Sequence, residues 1–310
     1  MLNTGGRFLV LKCILKRLNV RICSRISRRM GQTTENGVYL LQRKLCAVDI
    51  DGTLVTDEKI LLPQTKADIH WFIREGGIFV LASGRPTRGI LRYIDELDLA
   101  AVGGFIISYN GARIMDARTN NIILQKNIDL ACYPIIFKAA DALNLPLTAY
   151  KEQDIAVTQK ATDSYFLTET SINRLQVVRV SDLQAELTYP TPKFLITGEP
   201  EVLCQAEIRL REMLSALPVT VFRSEPFYLE ITACGCDKGA AILELAEMLH
   251  IDRSETMACG DGFNDVTMLS AVGLGVAMEN AQPAAKDAAD CLTASNNENG
   301  VGKAIRKFAV

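Results

Sequence analysis

The sequence predicts an α/β protein: a doubly wound parallel sheet interrupted by an inserted α+β segment. Three observations carry this. Short apolar runs of strand composition alternate with helical stretches from Leu45 to Gly111. The alternation loses its regularity from about Ile128 to Phe227. It returns at Asp237 and continues to the end. Strands buried on both faces read as unbroken apolar runs, and strand–helix–strand rhythm implies parallel pairing.

The first strand is Leu45-Cys46-Ala47-Val48, and it runs into Asp49-Ile50-Asp51-Gly52-Thr53. A helix follows Pro63, with Ile69, Trp71, Phe72 and Ile73 on its apolar side, and Gly76-Gly77 stops it. Ile78–Ala82 is the second strand and Ser83-Gly84-Arg85-Pro86 its exit turn. Pro86 suits the first position of a helix reaching about Leu97. Gly104–Ser108 is the third strand, ending at Tyr109-Asn110-Gly111. Ala112–Met115 and Ile122–Gln125 form a hairpin around Thr119-Asn120-Asn121.

The irregular block carries helices over Leu130–Leu143 and Pro200–Leu217. Its strands are Leu147–Tyr150, Lys193–Thr197, Val219–Phe222 and Tyr228–Ile231. After Asp237 come a helix over Gly239–Leu249, a strand Thr256–Gly260 and a helix over Asn264–Ala271. Then follow a strand Gly273–Ala277 and helices Pro283–Ala289 and Gly300–Phe308. The expected division is a basic extension (1–43), a core (44–126 and 229–310) and an inserted domain (127–228).

Composition narrows the function classes. The chain has 310 residues, 48% hydrophobic and 23% charged, the balance of a soluble globular protein. Its net charge is −2, yet no acidic residue precedes Glu35 while eight basic ones do, from Arg7 to Arg29. The rest is correspondingly acidic, which argues against a nucleic-acid-binding core. For residues 1–43 a poorly ordered extension is the expectation; a membrane-surface helix and a targeting peptide are the other two readings. No apolar run approaches the roughly 18 residues of a membrane span, and Lys12 and Lys16 break the only candidate, so no stable insertion is expected. Nine scattered cysteines argue against a disulfide framework and for a reducing cytoplasm. Cys234 and Cys236 lack a second ligand pair and read as partly buried strand cysteines. His70 and His250 lie far from any motif, which disfavours histidine chemistry.

Four places then stand out: Asp49 with Asp51, Ser83-Gly84, Lys238 at a helix start, and Asp261 with Asn264-Asp265. In a parallel sheet all strand C-termini face one edge, so these groups can converge. Carboxylates, a hydroxyl, an ammonium and glycine-rich turns suit a hard divalent cation beside a phosphate. An EF-hand loop fails on the spacing of Gly52. A receiver-type regulatory domain explains Asp49 and a lysine, but neither the inserted block nor the cluster at Asp261–Asp265.

Asp49–Leu54, Ala82–Arg85, Lys238-Gly239 and Gly260–Asp265 resemble, in order, the four motifs of the haloacid dehalogenase superfamily. Asn110-Gly111-Ala112 and Gly275–Ala281 further resemble its Cof-type branch, subclass IIB, in which an α+β cap interrupts a Rossmann-like core. The likeness runs from about Lys44 to the C-terminus. Glu279 stands where many relatives have glycine, at a position that is not catalytic.

The resemblance implies that Asp49 is a nucleophile forming an aspartyl-phosphate, and that Mg²⁺ is held by Asp49, the backbone carbonyl of Asp51, and Asp261. Asp51 is then the acid/base and Lys238 a charge partner of the phosphoryl oxygens. Ser83, Gly84, Arg85, Asn110 and Asn264 are expected around phosphate or substrate. Asp265 is expected to bind a metal-ligated water or to orient Lys238. Arg85 pairing with a carboxylate, Asn110 as a left-handed turn and Asp265 as a helix-dipole partner are the bland alternatives. Lys193 and Arg223 are candidate cap readers, though solvated surface charges are the commoner outcome. The implied function is a phosphatase acting on small phosphorylated metabolites, sugar phosphates first. A phosphomutase-like transferase and a non-enzymatic regulator are the alternatives. The sequence sets no oligomeric state.

Overall fold

The computed structural model describes residues 41–151 and 154–310. Residues 1–40, and so nearly all of the expected basic extension, lie outside the described residues. Gln42 and Arg43, expected within it, donate their backbone N–H groups to the carbonyl of Ala309.

Two sheets organise the chain. The larger has eight strands: β1 (Leu45–Val48), β2 (Ile78–Ala82), β3 (Phe105–Ser108), β4 (Arg113–Asp116), β5 (Ile122–Gln125), β12 (Thr256–Gly260), β13 (Leu274–Ala277) and β14 (Cys291–Leu292). Their spatial order is β14-β13-β12-β1-β2-β3-β4-β5. All pairings from β14 to β3 are parallel; β4 and β5 join as an antiparallel hairpin. Every residue of β1 and β12 is buried, which matches their unbroken apolar runs. Helices cover the sheet; Pro63–Arg74 packs beside Gly300–Phe308, and Lys238–Met248 beside Val266–Ala271.

The smaller sheet has six strands: β6 (Leu147–Lys151), β7 (Ile155–Thr158), β8 (Val177–Arg179), β9 (Lys193–Thr197), β10 (Val219–Glu225) and β11 (Tyr228–Ala233). They lie in the order β10-β11-β9-β6-β7-β8, antiparallel except for β7 with β8. Helices Tyr133–Ala142 and Pro200–Met213 bury Ile136, Phe137, Leu203 and Leu210 against it, forming a second core around Phe194. The expected boundary at 228/229 falls inside this sheet. Tyr228 through Thr232 pair with β9, so the sheet's last strand ends at Ala233.

Several details differ from expectation. Pro86 caps its helix rather than opening it; the helix is Thr87–Glu96. Asn264 and Asp265 belong to a short 3₁₀ turn before the helix Val266–Ala271. The helix Ser164–Ile172 and strands β7, β8 and β14 carry no strong period and were not expected. Cys234 and Cys236 lie in a turn after β11, not in a strand.

Candidate active site

Strands β12, β1 and β2 are neighbours, so Asp261, Asp49 and Ser83 leave the same sheet edge side by side. After Asp49 the chain makes a wide turn, with Leu54 N–H donating to Asp49 O at 3.1 Å and Val55 N–H to Ile50 O at 3.2 Å. Gly52 allows that turn. Its φ is +75°, and a Cβ there would lie 2.3 Å from the Asp261 carboxylate. Asn280 Nδ2 donates to the Gly52 carbonyl at 2.7 Å, tying the turn to the segment after β13.

Lys238 opens the helix Lys238–Met248, whose N-cap Asp237 accepts from the Ala240 N–H. Its ammonium is fully buried and donates to Asp49 Oδ1 at 2.6 Å and Asp265 Oδ1 at 2.7 Å. Asp265 Oδ2 accepts from the N–H groups of Asp261 and Gly262 at 2.9 and 2.8 Å. Asp265 therefore orients both Lys238 and the Asp261 turn. Thr53 Oγ1 donates to Asp261 Oδ1 at 2.6 Å.

Oxygens of Asp49, Asp261 and Asp265 lie within 4.8 Å of one another. Lys238 offsets one of their three charges. The consequence shows in their proton affinities. Burial, followed by repulsion from Asp265, pushes Asp49 well above the usual carboxylate range despite Lys238. Burial and the Asp265 charge push Asp261 up to about 7, eased by the Thr53 hydrogen bond. For Lys238 burial works against the charged form, but Asp265 and Asp49 outweigh it and keep the ammonium protonated. A hard divalent cation fits this oxygen set and supplies the missing positive charge.

The Asp51 side chain is elsewhere. Arg85 grips it with Nε to Oδ2 at 2.6 Å and Nη2 to Oδ1 at 2.8 Å, and Lys59 adds a third bond at 2.8 Å. Burial would raise this carboxyl, but the hydrogen bonds and charges of Arg85 and Lys59 win and hold it well below the usual range. Arg85 is thus a carboxylate partner here rather than a free phosphate ligand. Its Nη1 also reaches Asn173 Oδ1, beyond the helix Ser164–Ile172, at 3.2 Å.

Other expectations shift. Asn110 takes a left-handed turn (φ 53°) and is buried. Its Nδ2 donates to Glu230 Oε2 at 3.0 Å and its Oδ1 accepts from Asn264 Nδ2 at 3.1 Å. Asn110 thus joins the two sheets and is not part of the cavity wall. Lys193 is not a surface charge. It is 1% exposed and donates to Glu230 Oε1 at 2.9 Å and to the Gly84 carbonyl at 3.2 Å. Arg223 instead pairs with Glu207 at 2.8 Å. Glu230 escaped sequence reading altogether; its one signal was a carboxylate at an inward position of an apolar strand.

A cavity of about 340 Å³ opens between the sheets. Asp49, Asp51, Ser83, Gly84, Arg85, Asp261 and Asn264 line one side, and Glu169, Glu225, Phe227 and Tyr228 the other. Such a concave site with converging polar groups is where chemistry is to be sought.

The model for haloacid dehalogenase-like hydrolases matches residues 46–305. A haloacid dehalogenase-like hydrolase from Bacteroides thetaiotaomicron, known from its crystal structure, is 35% identical. The match covers 86% of this chain and 99% of that one, with a TM-score of 0.78. TM0651 from Thermotoga maritima is 29% identical, over 86% of this chain and 98% of its own, with a TM-score of 0.74. The 5-amino-6-(5-phospho-D-ribitylamino)uracil phosphatase YcsE of Bacillus subtilis is 27% identical over 270 residues, 86% of this chain and 96% of that protein.

Proposed function

The chain belongs to the haloacid dehalogenase-like hydrolases, in their Cof-type branch, and is a phosphoric monoester hydrolase; from that premise we propose a Mg²⁺-dependent phosphatase of small phosphorylated metabolites, sugar phosphates foremost. The observation that carries the reading is the oxygen trio of Asp49, Asp261 and Asp265 with Lys238 between two of them, of which Asp49 and Asp261 line the cavity and Asp265 and Lys238 lie buried behind them. The Bacillus relative, named for a phosphoribitylamino compound, supports a phosphate ester of a small metabolite.

In this reading Asp49 attacks phosphorus in line, forming an aspartyl-phosphate and breaking the bond to the leaving oxygen. Asp49, Asp261 and the Asp51 carbonyl would hold Mg²⁺, which would supply the charge that lets a carboxylate approach a phosphate. Lys238 places a second positive charge beside the transferring oxygens. Ser83 and the N–H groups of its turn bind those oxygens. Asp265 keeps Lys238 and the Asp261 turn in place.

Asp51 gives a proton to the departing alkoxide, then takes one from the water that splits the acyl-phosphate. Arg85 and Lys59 hold it ionised, the state required for the second step. Donation in the first step requires that their grip loosen. The six-stranded sheet and its helices act as a cap that covers the cavity and excludes water.

Cys46, Cys132, Cys204, Cys234, Cys236 and Cys259 form no disulfide among the described residues, which supports a cytoplasmic setting. No helix among them is long and apolar enough to cross a membrane. Hydrolysis of p-nitrophenyl phosphate with Mg²⁺, and its loss on EDTA treatment with recovery on Mg²⁺ return, is the expected result. No metal-dependent release of p-nitrophenolate from folded protein would overturn the proposal.

A further inference from the structure

The cavity wall opposite the catalytic carboxylates has a charge pattern of its own. Among the described residues three cations line the cavity, and each is already engaged. Lys59 and Arg85 are paired with Asp51, and Lys193 with Glu230. Two carboxylates lining it are not engaged. Among the described residues, no hydrogen bond or ion pair reaches the side chain of Glu169 or of Glu225. Partial desolvation by the cavity wall raises the proton affinity of both; the Lys193 charge relieves Glu169 in part, and for Glu225, exposed at the cavity rim, Asp51 adds to the rise while Lys59 relieves it. Among the described residues the buried Tyr150 hydroxyl also lacks a hydrogen-bond partner.

The same wall has an apolar side. Phe227 lies in the turn between β10 and β11, stacked on Tyr165 with ring centroids 4.8 Å apart and planes within 8°. Tyr228 meets Phe227 edge-on at 4.7 Å. Ile172 lines the cavity as well.

Taking the phosphatase reading as given, we propose that this wall selects a leaving group bearing a protonated amine, received by Glu169 and Glu225, with its carbon skeleton against Phe227 and Ile172. A leaving group with a carboxylate or second phosphate meets two carboxylates that have no ion-pair partner and, among the described lining residues, no unpaired cation. A neutral polyol leaves both carboxylates without a counter-charge. A cation satisfies them through charge-assisted hydrogen bonds, which are stronger than those a neutral hydroxyl donates. Glu169 and Glu225 are then specificity residues; neither touches the reacting phosphorus.

The test uses matched phosphate esters that differ in one group. Phosphoethanolamine is set against ethylene glycol phosphate. Glucosamine, glucose and gluconate, each phosphorylated on its terminal CH₂OH carbon, form the second set. Each ester competes with p-nitrophenyl phosphate in the Mg²⁺-loaded protein, and its binding is read in parallel by thermal shift. The expected result is an amine preference of about tenfold or more over the hydroxyl partner in at least one set, with gluconate weakest. Glu169→Gln and Glu225→Gln should each cut that preference to about threefold or less. Both esters are measured on one preparation, so partial misfolding cancels in the ratio. Equal or stronger binding of the hydroxyl or carboxylate partner in both sets would overturn the assignment. If p-nitrophenyl phosphate turns over normally and the preference is absent, only this inference fails. If nothing turns over, the phosphatase reading fails, while the thermal shifts still decide the amine question.

Discussion

The floor and the roof of the cavity treat charge in opposite ways. On the floor, carboxylates crowd together around Lys238: Asp49, Asp261 and Asp265 share one buried ammonium and remain short of positive charge. In the roof, Lys193 and Glu230 form a closed buried pair, with Ser224, Asn110 and the Gly84 carbonyl taking up the remaining hydrogen bonds. A cluster that lacks a counter-charge is built to receive a cation. A cluster that is balanced is built to hold two parts together. The two sites lie a few residues apart at the Ser83–Arg85 turn, so chemistry and docking meet on one loop.

The contrast breaks most completely at Asp49. Asp49→Asn removes the attacking group and should lower kcat on p-nitrophenyl phosphate by about ten-thousandfold or more, with the circular dichroism spectrum unchanged. Near-normal turnover would remove the floor's assigned role. Asp51→Asn should be selective. Turnover of an alkyl phosphate should fall about a hundredfold or more, and that of p-nitrophenyl phosphate much less, because p-nitrophenolate leaves without a proton. Equal losses on both esters would deny Asp51 the acid step.

The roof predicts a loss of stability. Glu230→Gln strands the Lys193 ammonium in a buried site, and the cost should be about 3–5 kcal/mol in chemical unfolding. Combining it with Lys193→Met should recover much of that loss, because no charge is left unpaired. Additive losses would show that the two side chains do not act as a pair.

The smallest expected effect is a pH dependence of metal stabilisation. Asp261 sits at about 7 in the folded protein, above its ordinary 3.8. The folded state therefore binds that proton more tightly than the unfolded chain. Stability contributed by this group is present below pH ~4 and is lost as pH rises through about 7. A divalent cation favours the ionised form and removes the penalty. Mg²⁺ should thus stabilise the fold more at pH 8 than at pH 5, by on the order of 1–3 kcal/mol, read as a larger rise in melting temperature at pH 8. An equal shift at both values would place the ion away from Asp261.

The floor was legible in the sequence because its parts sit at fixed distances from strong local signals. Asp49 and Asp261 follow apolar runs that can only be buried strands, and Lys238 follows a capping aspartate. The roof was not legible for the opposite reason. Lys193 begins a strand that continues Phe194-Leu195-Ile196, and Glu230, in β11, with the Gly84 carbonyl makes its burial tolerable. The helix Ser164–Ile172 buries only Phe166 and Thr170, so it shows no apolar stripe, and Glu169 passed unnoticed on it. The Arg85 grip on Asp51 spans 34 positions and depends on turn geometry that no spacing rule encodes.

Rapid-quench mass spectrometry speaks most directly to the acceptor role of Asp49. Protein mixed with a slowly turned-over phosphate ester and Mg²⁺, then quenched in acid, should carry one phosphoryl group on the peptide containing Asp49, and none when EDTA is present. A phosphoryl group on any other residue, or steady turnover with no trapped phosphoprotein under conditions that accumulate the intermediate, would contradict the mechanism.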